Sequence, residues 1–199
     1  MTDPTLLERR LQGAEVFRGG FLRVQRDTVQ LPDGSRTERE YIKHPGAVVI
    51  IPVLGDAVDA ASCRVVLERQ YRYPVQQVIV EFPAGKIDPG EPPLACARRE
   101  LREETGYAAR EWARAGQLHP LVAYSDEAID IWLARGLTAG PRQLDQGEFL
   151  QVIQASAAQL IAWCRDGTVT DAKTIIGAFW LQQWLGGQWQ PQWQPEPAP

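Results

Sequence analysis

Three spacings of apolar residues divide the chain. From residue 14 to 43 the period is an imperfect two: FLRVQRDTVQL, a turn at LPDG with its Asp-Gly pair, then TEREYIK, which predicts a β unit of two or three strands. AVVIIPVL (47 to 54), CRVVLERQYR (63 to 72) and QVIVEF (77 to 82) are rich in β-branched residues and separated by turn formers, as expected of strands buried in a mixed sheet. Residues 91 to 105 change to a helical period. Beyond them EWARAGQLHPLVAY and AIDIWLARGL read as strands on either side of an SDE loop at 125 to 127, and EFLQVIQA, 148 to 155, as one more. Two helices close the pattern: SAAQLIAWCRDG, with Ser156 as N-cap and Gly167 as stop, and TDAKTIIGAFWLQQWLGG, with Thr170 or Asp171 as cap and Gly186 beyond its end. The order predicts an α/β fold: an α/β/α sandwich around a mixed sheet, residues 46–185, preceded by a β subdomain over residues 1–45. Residues 186–199, GGQWQPQWQPEPAP, are expected to be a mobile tail, with Trp189 and Trp193 available for docking on a neighbouring surface.

Composition narrows the partners. A length of 199 residues with 44% hydrophobic positions is enough for one well-buried core. The net charge of -4 argues against a general nucleic-acid binder, which needs a positive surface, but is compatible with a small anionic substrate held through a metal. Cys63, Cys96 and Cys164 are odd in number and lack CxxC spacing, so they read as reduced thiols and not as a disulfide or zinc framework. MTDPTLLERR carries no basic stretch followed by an apolar one, and no run approaches eighteen apolar residues. The expectation is a cytoplasmic protein with neither membrane nor nucleic acid as partner.

The chemistry concentrates in the helix at 91 to 105. Pro92 and Pro93 suit its first turn and Gly106 its end. At about 100° per residue, Leu94, Ala97 and Leu101 share an apolar stripe, and Glu100, Glu103 and Glu104 form an acidic one beside it. Like charges at that spacing repel, and Arg99, four residues before Glu103, offsets only part of the repulsion. A hard divalent cation removes the conflict, because it requires several oxygen ligands. No rival constellation is present: His44 and His119 are the only histidines, and HExxH, GxxxxGK[ST] and GxGxxG are all absent.

Gly85, five residues, Glu91, seven residues and then Arg99-Glu100-Leu101-Arg102-Glu103-Glu104-Thr105-Gly106-Tyr107 resemble the complete Nudix box. The resemblance implies a Nudix-type fold in which the box is a loop-helix-loop that holds divalent metals against a substrate diphosphate while water breaks the P–O–P linkage. It implies Glu100 and Glu104 as principal ligands of Mg²⁺, with Mn²⁺ as a substitute, Glu103 as a further ligand or water partner, and Glu91 with Arg99 as a structural ion pair. HPGAVVIIPVL, ERQYRYPVQQVIVEFPAGKID, YSDEAIDIWLARGL and DAKTI extend the likeness to the ADP-ribose pyrophosphatase branch over roughly residues 39 to 180. That branch implies hydrolysis of ADP-ribose to AMP and ribose 5-phosphate, a backbone carbonyl of Ala84 on the metal, and substrate contacts from Arg72, Arg39 and Glu40. Other nucleoside diphosphate sugars, of the GDP-mannose type, and a non-catalytic ADP-ribose sensor are the alternatives.

One loop departs from the branch pattern. Relatives often carry D-E-x-E where this chain has Asp145-Gln146-Gly147-Glu148. A neutral amide cannot accept the water proton near pH 7, so Gln146 can only orient the nucleophile. The resemblance then leaves Glu148 as a metal ligand and Glu148, Glu103, or Asp126 or Glu127 of the SDE loop as the base, with Glu103 ranked ahead of Glu127. It also implies a homodimer that pairs through the N-terminal strands, whose edges otherwise need covering.

Overall fold

The structure, a computed structural model, describes residues 3–55 and 59–196. The chain divides into two compact units, Met1–Pro45 with His119–Ala128, and Gly46–Leu118 with Ile129–Pro199. The N-terminal unit therefore recruits the loop around 125 to 127, which the sequence reading assigned to the main domain.

In the first unit, β1 (Arg9–Arg18), β2 (Arg23–Gln30) and β3 (Arg36–Ile42) form an antiparallel sheet in that order. Gly34, at φ +87°, lets the β2–β3 turn close, and Asp33 accepts from the Ser35 N–H at 2.9 Å. The sheet begins at Arg9, earlier than the alternation suggests. All ten residues of β1 are exposed, so no buried face marks that strand in the sequence.

The second unit follows the order β4 (Ala47–Leu54), β5 (Arg64–Arg72), β6 (Gln77–Glu81), β7 (Ala84–Lys86), α1 (Pro93–Thr105), β8 (Tyr107–Ala108), β9 (Glu111–Leu118), β10 (Ile129–Arg135), β11 (Thr138–Ala139), β12 (Leu150–Ser156), α2 (Ala157–Asp166), α3 (Ala172–Leu185) and β13 (Gln194–Pro195). Its sheet runs β12-β5-β4-β10-β9-β13, with β6 beside β5 and β7 beside β4. The β4–β10 pair is parallel and the other pairs are antiparallel, so the sheet is mixed as expected.

Both faces of this sheet are covered. Along β4, Val48 and Ile50 pack with Cys96, Ala97 and Leu101 of α1, whereas Val49, Ile51 and Val53 pack with Leu160 of α2 and Leu181 of α3. Alternation within one apolar run thus feeds two cores, each fully buried aliphatic contributing roughly 1.5–3 kcal/mol. Asp171, not Thr170, caps α3, accepting from the Thr174 N–H at 2.9 Å, and Ser156 caps α2. The expected strand at 148 to 155 starts at Leu150, which leaves Glu148 in the preceding turn.

The end of the chain is placed where the sequence reading expected a mobile tail. β13 pairs with β9, Trp189 and Trp193 make edge-on contacts with Trp180 and Trp184 of α3, and Glu196 binds the Trp112 indole N–H at 2.6 Å and Arg98. Large aromatic surfaces outweigh a Pro- and Gln-rich composition here. Pro197–Pro199 lie outside the described residues.

Candidate active site

Two elements of the second unit meet around one glycine. The short strand β7 presents Ala84 and Gly85 to α1, and the Ala84 N–H donates to Glu104 Oε2 at 3.0 Å. A Cβ on Gly85 would lie 1.9 Å from the Glu100 carboxyl group. Only glycine leaves room for that carboxylate against the backbone. At the far end Gly106, at φ +76°, caps α1 in the left-handed conformation, its N–H donating to the Arg102 carbonyl at 2.9 Å.

Arg99 gathers the exposed side of the helix. It donates to Glu91 at 2.9 and 3.0 Å, to Glu100 at 2.7 Å and to Glu103 at 3.1 Å, and also to the Lys86 carbonyl at 3.2 Å. The hydrogen bonds from Arg99 hold the Glu91 carboxyl far below its usual range, at about 2. The Glu91–Arg99 pair thereby pins the loop before α1 onto the helix.

The inner side is different. Glu104 is 3% exposed, and burial pushes its carboxyl up to about 10, with Glu68, Glu100 and Glu148 adding repulsion. Periodicity groups Glu104 with Glu100 and Glu103 in one acidic stripe, but β7 lies over Glu104 and buries it, which spacing along the helix does not foretell. Burial also raises Glu100. Glu148 contributes negative potential to Glu68, Glu100 and Glu104, and accepts a long 3.5 Å bond from Gln70 Nε2. The helix, the loop and the turn before β12 so converge their acids in one place.

Three charged residues of this place went unremarked in the sequence. Glu68 and Glu81 face each other across β5 and β6, and both are buried. Glu81 takes a two-pronged bond from Arg72, 2.8 and 2.9 Å, and a further one from Lys173. Lys173 is set by the start of α3, where Thr174 Oγ1 accepts from the Phe82 N–H at 2.9 Å and docks the helix onto the end of β6. Burial disfavours the Lys173 ammonium, but Asp171 and Glu81 outweigh it and raise its pKa. Glu68 has no such partner. Burial and the neighbouring Glu81 push its carboxyl up to about 8. The available signal was a carboxylate inside each of the runs VVLER and VIVEF, because an acid is rarely buried without a role or a counter-charge.

Ala84, Glu100, Glu103, Glu104, Glu148 and Arg72 are thus brought to one end of the second unit. Arg39, Glu40 and Glu127 belong to the first unit: Arg39 binds Glu8, Glu40 binds Arg26, and Glu127 lies 3.7 Å from His44.

The donor set suits a hard divalent cation. It is dominated by carboxylate oxygens, burial and mutual repulsion raise the Glu100 and Glu104 carboxyls, and neither Glu68 oxygen has a hydrogen-bond donor among the described residues. Among those residues no three His, Cys, Asp or Glu side chains already close into a cage.

A helix whose acids gather against a strand end of a two-faced mixed sheet is a frame suited to holding a phosphate-bearing ligand through a cation. The chain belongs to the Nudix family: the NUDIX domain matches residues 43–175, and residues 8–42 match the nucleoside diphosphate sugar hydrolase N-terminal domain. It is 34% identical to the methanol dehydrogenase activator of Bacillus methanolicus over 88% of this chain and 92% of that one. It is 32% identical to the ADP-ribose pyrophosphatase of Bacillus subtilis (strain 168), over 89% and 94% respectively. A solved ADP compounds hydrolase shares the fold, with a TM-score of 0.78, 23% identity, and 92% and 97% of the two chains covered. No helix among the described residues is long and apolar enough to cross a membrane.

Proposed function

We propose that this Nudix hydrolase splits the diphosphate of ADP-ribose into AMP and ribose 5-phosphate with Mg²⁺, or Mn²⁺ in its place. The observation that carries the reading is the convergence of Glu100, Glu104 and Glu148 beside the Ala84 backbone, with Gly85 leaving space for Glu100. Glu100, Glu104, Glu148 and the Ala84 carbonyl would hold the cation, with Glu103 as a further donor. A bound divalent cation supplies charge neutralisation of the diphosphate and a water of lowered pKa.

The protein's own groups do the rest. Glu103 keeps about a third of its side chain exposed and shares Arg99 with two other acids, so it is the group best placed to accept the proton of an attacking water. Glu148 and Glu127 are the other candidates for that role, and Gln146 orients without accepting. Arg72 spends its Nε and Nη2 donors on Glu81 and leaves Nη1 for a phosphate oxygen, with 41% of the side chain exposed. Arg39 and Glu40 are proposed to contact the nucleoside side of the substrate.

A broader substrate range is a second reading, favoured by the N-terminal match to a nucleoside diphosphate sugar hydrolase domain. Assay of ADP-ribose, GDP-mannose, UDP-glucose, diadenosine polyphosphates and NADH with Mg²⁺ decides between them. A clear preference for anything but ADP-ribose overturns the first. We also propose a homodimer, supported by Leu11, Val16 and Phe17 of β1, each 45–53% exposed on a strand with no buried position. A monomer by light scattering at micromolar concentration would contradict it.

A further inference from the structure

Among the described residues, the buried acid of this end that lacks a hydrogen-bond partner is Glu68, on β5. It is fully buried, and both carboxylate oxygens are without a donor among the described residues. The charged groups acting on it are Glu81, Lys173, Arg72 and Glu148, and its own charge acts on Glu104. A structural role as counter-charge is already taken, because Lys173 is held by Glu81 and, at 3.1 Å, by Asp171, while Arg72 is held twice by Glu81. An unpartnered carboxylate in such surroundings works against folding. What it does add is negative charge felt by Glu104, and Gln70, two residues on and on the same face of β5, donates to Glu148 at 3.5 Å, so this strand face adjoins the acids of the site.

We propose that Glu68, buried on β5, is an additional acid of the cation site that strengthens the hold on the divalent cation without touching substrate. It is a positioning residue, and the inference rests on the reading of Glu100 and Glu104 as the groups that hold the metal. Residues that act on a metal through its ligands typically change affinity by about 10–100-fold when removed.

The test uses the full chain, stripped of metal and titrated with Mn²⁺ alone, free Mn²⁺ being followed by electron paramagnetic resonance. Native protein is compared with Glu68→Gln and Glu68→Met, and melting curves are recorded without metal. The expected result is a loss of Mn²⁺ affinity of roughly tenfold or more in both variants, with metal-free melting temperatures equal to native or higher. Native affinity in either folded variant overturns the proposal. A metal-free melting temperature that falls in both, or failure of both to fold, overturns it too, since Glu68 would then be a structural acid. Absence of Mn²⁺ binding by the native protein would instead remove the cation-site reading on which it rests.

Discussion

The N-terminal sheet and the acidic end of the second unit use similar side chains to opposite effect. On the first, Arg18 binds Glu15, Arg26 binds Glu40 and Arg39 binds Glu8, all near or on the surface, and the buried Asp27 receives Arg10 at 2.8 Å and Tyr41 at 3.2 Å. Acid and base are matched nearly one to one. At the second, Glu68, Glu100 and Glu104 are wholly or largely buried and share one close cation, Arg99 on Glu100, so burial raises all three carboxyls. Matched exposed charge sets register and solubility at little net gain, whereas unmatched buried charge is a standing cost that makes sense only with a ligand.

The sharpest way to break this contrast is Glu104→Gln. A neutral amide replaces a carboxyl that burial already holds protonated, so the metal-free fold should melt at or above the native temperature, while kcat on ADP-ribose falls by at least about a hundredfold. Near-native turnover would mean that the buried acid is not part of the chemistry. Gly85→Ala tests the same site by volume instead of charge. The new methyl group falls where Glu100 now lies, so kcat/KM should drop by about 10–100-fold with the helix content unchanged in circular dichroism. Full activity there would show that Glu100 can move without consequence.

Glu91 sharpens the comparison, because it is an acid of the box that is matched. Its carboxyl lies at about 2 in the folded chain against 4.5 when unperturbed. Being depressed, it contributes stability that is fully present above pH 4.5 and is lost as pH falls toward 2. Glu91→Gln should therefore cost about 1–2 kcal/mol at pH 7, the Glu91 side chain being 15% exposed. Native and variant denaturation curves should converge as the pH is lowered through that window, and a gap that stays constant would assign the effect to lost packing. The smallest effect is expected from Arg26→Ala. This exposed partner of Glu40 should leave the chemical denaturation midpoint indistinguishable from native, and a clear fall in that midpoint would end the contrast from the surface side.

Much of the site was legible in the chain because the box places its acids by local spacing. Glu91, Arg99, Glu100, Glu103 and Glu104 lie within one loop and one helix, so their relations follow from a 3.6-residue period and two glycines. Glu68, Glu81 and Lys173 were not legible. They come from β5, β6 and α3, and their meeting depends on strand register and on Thr174 docking against Phe82. Glu104 shows the limit within the helix itself. Periodicity assigned it to the acidic stripe, and only the strand segment laid over it made it a buried group.

By itself, then, the sequence determined the element order, the two-sided burial of AVVIIPVL, the caps at Ser156 and Gly106, and the family motif, all of which are set by neighbours a few residues apart. Tertiary structure alone decided which carboxylates are buried, which cations answer them, and that Trp189 and Trp193 fasten a Pro-rich end to α3. The physical reason is range. Hydrogen bonds and period act along the chain, but desolvation and charge pairing depend on segments 92 or more residues apart, as in the meeting of Glu81 and Glu68 with Lys173.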